Sequence, residues 1–323
     1  MSEPERIFNP SSLVAPRAMA AYAVSACLVV WLVSRLDAAA TRQVLASARP
    51  GLLFAAAGAI CLVPFFASLR WLSVVRTLPG ATASLWLALR ACMVAGTLNS
   101  FLPSKGGDAA KVVYLYRRTG MAAGLGTVAV ERMADLFMLG LWSLAGGLVS
   151  GEVLGFYAAA FFSGGALAGG LVICALPEKF LSRFPRVNGR FMAFRQVFLD
   201  WYRKPGAVAY TVLSALGVWV VTGGSFVLLT LALAPDGDWQ RAMYIYPLGV
   251  LAGLIPVTIS GIGTRDAAFV ALLGSSFTRE QATLISLSYT ILAYWLISVV
   301  SAPVAIWELH RLGWRKKPEK GTP

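Results

Sequence analysis

Eight apolar runs, near 18–34, 51–70, 81–102, 121–149, 152–176, 206–234, 241–258 and 280–307, have membrane-spanning length. No other feature of the chain limits its fold so strongly. Inside hydrocarbon, backbone N–H and C=O groups must find partners within the protein, and an apolar helix supplies them all locally. Composition points the same way. Of 323 residues, 58% are hydrophobic and only 13% charged, against roughly 25% charged in soluble domains. Too few polar side chains remain to cover a water-facing surface. The expectation is an all-α polytopic membrane protein, with residues 1–323 forming a single membrane domain.

The charges are lopsided: 28 Lys+Arg face 15 Asp+Glu, a net charge of +13. Such an excess signals either nucleic acid or the enrichment of Lys and Arg in cytoplasmic loops, and position decides between them. Segment 177–205 carries Lys179, Arg183, Arg186, Arg190, Arg195, Arg203 and Lys204; the tail 308–323 carries Arg311, Arg315, Lys316, Lys317 and Lys320. Both are expected to be cytoplasmic. The turns at Gly151-Glu152 and Asp236–Asp238 lack basic clusters and are expected outside. Segment 35–50 fits this scheme worst, because Arg35, Arg42 and Arg49 would lie outside. The positive charge is mostly topological, so no nucleic-acid partner is expected. The expected location is the bacterial cytoplasmic (inner) membrane, with both termini inside. Ala38–Ala40 imitates a signal-peptidase site, but the long lead containing Arg6 and Arg17 favours a retained first span.

Residue counts remove several chemistries. His310 is the single histidine, and Cys27, Cys61, Cys92 and Cys174 stand alone in apolar runs. No metal site, haem attachment or disulfide framework is expected, no cofactor, and no catalytic residue of the Ser-His or Cys-His kind. No nucleotide-binding glycine loop follows a strand.

The topology also forces a count. From the outer turn at Asp236 to the inner tail at Arg311 the chain must cross an odd number of times, yet 241–258 and 280–307 supply two crossings. The conflict disappears if 241–276 is a re-entrant hairpin, and 81–116 is its counterpart between inner basic flanks Arg70/Arg76 and Arg117/Arg118. This predicts six full spans plus two hairpins; eight simple spans are the alternative. The hairpins also resemble each other. Asp108-Ala-Ala-Lys-Val-Val-Tyr-Leu115 and Asp266-Ala-Ala-Phe-Val-Ala-Leu-Leu273 agree at the Asp, both Ala, the first Val and the final Leu. The repeats are then about 51–149 and 206–307, inverted because three full spans separate the hairpins. Inverted repeats with broken helices are the architecture of secondary transporters.

Two sets of residues carry candidate chemistry. Glu131, Arg132 and Asp135 lie inside the run 121–149, roughly 15 Å in, near mid-membrane. Each ionised group there costs on the order of 3 kcal/mol unless paired or hydrated. Arg132 and Asp135 can pair at i, i+3, while the like-charged Glu131 and Asp135 need a shared proton or a cation, available from Lys105, Lys111 or Arg265. A structural ion-pair knot is the plainer reading; a substrate or proton site is the functional one. The second set is the hairpin tips. Asn99, Pro103, Lys105, Gly106, Gly107 and Asp108 form one; Pro256, Gly261, Gly263, Arg265 and Asp266 form the other. Pro and Gly break the helices there, and each returning arm offers its positive dipole end beside a cation, which suits an anion such as phosphate. Asp108 and Asp266 suit capping or substrate contact, with capping favoured. The stripe Phe191, Phe194, Phe198 and Trp201 reads as an interfacial helix with its apolar side in lipid, or as a simple cytoplasmic connector.

The stretch Asn99–Arg118, the Glu131-Arg132-x-x-Asp135 span and the Gly261-x-Gly263-x-Arg265-Asp266 tip resemble the flippase-like membrane family named for the transmembrane domain of lysylphosphatidylglycerol synthases. The resemblance covers roughly 20–310 and lacks the aminoacyl-transferase domain. Both tips carry Asp where the family pattern leads one to expect Glu. It implies movement of anionic or lipid-linked (polyprenyl-phosphate type) molecules between leaflets. A phosphate headgroup would then sit near Lys105, Lys111, Arg132 and Arg265, with Glu131 and Asp135 orienting Arg132 or carrying a proton. The expected partner is a membrane lipid with an anionic headgroup. The alternatives are an intramembrane enzyme using Glu131 and Asp135 on a lipid phosphate, and a non-transporting subunit of an envelope-lipid or hopanoid synthesis complex.

Overall fold

The computed structural model describes residues 16–102, 106–177 and 185–311. In chain order they form α1 (Pro16–Ser34), α2 (Ala38–Ala46), α3 (Pro50–Ile60), α4 (Val63–Val75) and α5 (Leu85–Asn99). A 3-10 turn (Gly106–Ala109) leads into α6 (Ala110–Ser150), followed by α7 (Val153–Ala175), α8 (Pro185–Tyr202) and α9 (Pro205–Leu233). The rest is α10 (Trp239–Ala252), α11 (Thr264–Leu273), α12 (Arg279–Thr290), a π-helical segment (Ile291–Leu296) and α13 (Ile297–Arg311). No strand occurs among the described residues, and the chain is an all-α polytopic membrane protein.

Among the described residues five helical stretches are long and apolar enough to cross a membrane: Pro50–Val75, Arg118–Ser150, Val153–Ala175, Pro205–Leu233 and Arg279–Arg311. Ala18–Ser34 and Ala38–Ala46 qualify only as a pair, bent by 87°. Two shorter helices, of which α5 is apolar, are different. α5 has 15 residues and α10 has 14, about 22 and 21 Å of helix, short of a hydrocarbon core of about 30 Å. After each, the chain folds back on it. Gly107 packs on Asn99 and the Ala95 carbonyl; Phe269 packs on Gly249 and Arg265 on Gly253. The return arm of the first fold-back continues into α6, where Gly120 (φ 76°, ψ 171°) interrupts the helix before the long span begins.

Local signals set the helix starts. Pro occupies the first turn of α3, α4 and α9, where a missing N–H is harmless. Asp37, Ser84 and Asp238 cap α2, α5 and α10 by accepting from Ala40, Leu87 and Arg241 N–H groups. Thr278 and Gln281 form a reciprocal box at α12.

Among the described residues three buried clusters hold the helices; the smallest is Val94, Ala110 and Ala305, and the other two are large. The larger centres on rings from α9, α10, α11 and α12: Phe226 lies 4.4 Å from Phe269 and 5.3 Å from Tyr246, and the Tyr246 and Tyr289 hydroxyls are 2.7 Å apart. The smaller gathers Trp71, Leu72, Val130, Val197, Phe198 and Trp201. That cluster corrects the reading of segment 190–203 as a lipid-facing interfacial helix. Phe198 and Trp201 are buried inside the protein, with Trp201 donating to Thr211 at 2.9 Å. The physical reason is a partner invisible in sequence: Gly126 leaves room for α8 to lie against α6.

In hydrocarbon, close backbone approach drives helix association, and α6 meets α7 in this way. A Cβ on Gly155 would lie 2.5 Å from the Gly147 Cα, whereas one on Gly164 of the same helix meets nothing within 4 Å. Gly155→Ala should therefore lower thermal stability in detergent by about 1–3 kcal/mol through overpacking, while Gly164→Ala should leave the unfolding midpoint unchanged or slightly raised.

Candidate functional site

Six ionisable side chains from three parts of the fold converge in the interior. α4 supplies Arg70, the first return arm supplies Asp108 and Lys111, and the long α6 span supplies Glu131, Arg132 and Asp135. Arg70 Nε reaches Glu131 Oε1 at 3.3 Å, and Arg70 Nη1 pairs closely with Asp135. Lys111 Nζ sits 3.0 Å from Glu131 and 3.5 Å from Asp108. Arg132 bridges Asp108 at 2.9 Å and Asp135 at 3.2 Å. Trp219 on α9 donates its indole N–H to Asp135 at 2.9 Å, and Asn99 donates to Asp108 at 3.2 Å. Three cations thus face three carboxylates. Glu131 is fully buried, and Arg70 and Lys111 are nearly so; the Arg132 side chain alone is open, at 35%.

This geometry follows from the cost of charge in hydrocarbon. Glu131 and Asp135 share one helix face one turn apart, so their repulsion must be met from outside the helix. The sequence pointed to Lys105, Lys111 or Arg265 as the source. Lys111 does face Glu131, Lys105 and Pro103 lie outside the described residues, and Arg265 is elsewhere. The missing counter-ion is Arg70, which reads in sequence as an inner basic flank but is 3% exposed within α4. Trp219 carries no sequence signal at all.

The second tip is built differently. Ser260 (φ 55°), Gly261 (φ 75°) and Gly263 (φ 94°) turn the chain through left-handed backbone, and Gly261 presses against Gly253, where a Cβ would come within 2.6 Å. Asp266 caps α11, accepting from the Gly263 N–H at 2.9 Å, and also accepts from Ser286 at 2.7 Å and Thr290 at 2.6 Å. Arg265 is 1% exposed. Its Nη2 donates to Thr290 at 2.6 Å, and its guanidinium lies 4.3 Å from the Tyr294 ring centre and 5.6 Å from that of Tyr289. Nε and Nη1 are buried with no hydrogen-bond partner, and no carboxylate lies within ion-pair distance among the described residues. Tyr294 belongs to the π-helical segment, a local widening of the kind that accompanies functional sites.

The two tips touch. Ser260 donates to the Asn99 carbonyl, and Ser100 donates to the Tyr294 carbonyl at 3.1 Å while accepting from Ser298 at 2.6 Å. Gly106 opens the 3-10 turn of the first tip, and Gly107 is packed within it. Asp108 pairs with Arg132 and Lys111 and accepts from Asn99, and the α6 N-cap Ala109 makes no side-chain bond of its own. Reasoning from sequence also missed a third buried pair. Glu308, fully buried in α13 rather than part of a solvated tail, accepts from Arg90 at 2.6 Å and Tyr114 at 3.1 Å, and Arg90 lies between Trp86 and Trp307. Among the described residues no group of three His, Cys, Asp or Glu comes together as metal ligands.

Removing one partner of a buried ion network leaves an uncompensated charge and costs about 3–5 kcal/mol, while replacing both partners by apolar or neutral groups is far milder. Arg70→Met should accordingly lower stability by about that amount in a thermal or denaturant melt. Adding Asp135→Asn to Arg70→Met should recover a substantial part of the loss.

No curated protein matches the chain. The family described as the lysylphosphatidylglycerol synthase TM region matches residues 18–301, a stretch holding the six-charge network, both tips and the first turn of α13. By that match the chain belongs to the lysylphosphatidylglycerol synthase transmembrane-region family, a family of membrane proteins tied to lipids.

Proposed function

We propose that the protein moves an anionic phospholipid, or a lipid-linked intermediate of the polyprenyl-phosphate type, between leaflets of the bacterial inner membrane. The observation that carries this reading is Arg265. It is a buried guanidinium at a broken helix, whose Nε and Nη1 have no hydrogen-bond partner and which has no carboxylate within ion-pair distance among the described residues. An unpaired buried cation is expensive, and a planar guanidinium matches phosphate oxygens in bidentate geometry. Irregular backbone at membrane depth is tolerated where it is enclosed by protein or lines a polar path, and two such tips meet beside Arg265. Arg132, the open member of the ion network, is the natural second contact for the headgroup. The acyl or isoprenoid chain stays in the bilayer.

In this reading the halves about 51–149 and 206–307 act as inverted repeats, the basic linker 177–205 and the tail 308–323 lie in the cytoplasm, and both termini are inside. Envelope-biosynthesis enzymes would supply or consume the lipid. The intramembrane-enzyme alternative finds less support. Glu131 and Asp135 each hold two cations and so serve as counter-ions rather than as a poised acid–base pair.

The test is leaflet exchange of fluorescent anionic lipids in proteoliposomes. Wild-type protein should accelerate exchange over protein-free vesicles. Arg265→Ala should reduce that acceleration at least tenfold with little loss of thermal stability, because Thr290 and Asp266 keep each other. Arg265→Lys should restore only part, since a point charge lacks the planar fork. No acceleration by wild type across several headgroups would overturn the proposal.

A further inference from the structure

Arg265 is shut off on every side, so a headgroup reaches it only if some element moves. The aromatic cluster holds α9 to α12 together, and the ion network ties α4, the first return arm and α6. Helix α1 is held by far less. It lies outside both repeats, and its buried residues are a thin stripe of Ala18, Ala21, Ser25 and Leu32, with Met19, Val30, Trp31 and Val33 exposed.

That stripe touches both tips. Tyr22 donates to the Phe101 carbonyl of the first tip at 2.8 Å. Ser25, one turn on, accepts the Ile259 N–H of the second tip at 2.9 Å. Leu28, a further turn on, covers Gly263, where an added Cβ would lie 2.7 Å from the Leu28 Cβ. Three side chains at i, i+3 and i+6 therefore strap the two tips from one helix. Beyond the strap, the chain turns 87° into α2, and a cavity of about 70 Å³ lies there between Trp31, Leu32, Arg35, Val270, Arg279 and Thr283. A bend and a void at one end of a lightly packed helix are what a hinge needs, since elements with few buried contacts open first.

We propose that α1 is a lateral gate. Its swing about residues 35–37 breaks the Tyr22 and Ser25 bonds, uncovers Gly263 and frees the tips to part, opening a route from the bilayer to Arg265. A lipid headgroup enters sideways while its tail remains in hydrocarbon. The gate rests on the lipid-transport reading for its purpose, although its motion is measurable without transport.

Two measurements test it in protein whose four native cysteines are replaced by alanine. In the first, Ser25→Cys and Ile259→Cys are cross-linked by a short bis-methanethiosulfonate, which forms a disulfide with each thiol as methanesulfinate leaves and is cleaved by reductant. Cross-linking should cut leaflet exchange at least tenfold and reductant should return it; exchange at an unchanged rate in fully cross-linked protein overturns the gate. In the second, spin labels replace the exposed Val30 of α1 and Leu213 of α9, and their separation is read by pulsed EPR in vesicles with and without phosphatidylglycerol. Two distance populations whose ratio shifts with the anionic lipid support the gate; one narrow distance in both vesicles overturns it. Two populations in protein that moves no lipid would leave the gate standing and count against the transport reading alone.

Discussion

An ionised side chain in a membrane interior has to meet its opposite charge, and this requirement organises the centre of the molecule. Glu131 and Asp135, one turn apart on α6, cannot neutralise each other. They draw Arg70 from α4 and Lys111 from the first return arm, while Arg132 bridges Asp135 to Asp108. Long-range placement follows from these pairings. The fold-back after α5 is anchored where Asp108 and Lys111 meet α6, and α9 is drawn in where Trp219 reaches Asp135. Among the described residues, three carboxylates there face three cations.

The second tip works by contrast. Asp266 is satisfied by one backbone N–H and two hydroxyls, which leaves Arg265 to two tyrosine rings and a threonine. Cation–π contact and a single hydrogen bond stabilise a buried guanidinium less than a carboxylate would. One interior cluster therefore sets carboxylates against its cations, and at the other Arg265 keeps Nε and Nη1 without a partner. The contact between tips, through Ser260 and the Asn99 carbonyl, places the two within one continuous interior.

Much of this was legible in the residues. The apolar runs predicted the helices, and Glu131, Arg132, Asp135 and Arg265 stood out because charge at that depth is expensive. The short lengths of α5 and α10 were less clear, since an apolar run says nothing of where the chain turns back. Arg70 was hidden for a specific reason. At the end of an apolar run, an arginine facing the cytoplasm and one pointing into the protein look alike, and the distinction rests on α4 continuing to Val75. Glu308 was hidden likewise, beside a basic tail. The stripe of Phe191, Phe194, Phe198 and Trp201 reads as an interfacial helix or a connector, because an apolar face is equally content against lipid or protein; Phe198 and Trp201 are buried in the protein, where Gly126 on α6 leaves room for α8.

By itself the sequence determined the class of the protein and the short set of residues at which charge or broken helix demands an explanation, because both depend on local transfer free energies that each residue carries with it. Tertiary structure alone decided which charge meets which. Arg70 and Glu131 are 61 positions apart, and Ser260 and Asn99 are 161 apart. Pairing at such separations is a property of how helices pack. It also decided that, among the described residues, no carboxylate comes within ion-pair distance of Arg265, which no pattern along the chain could have announced.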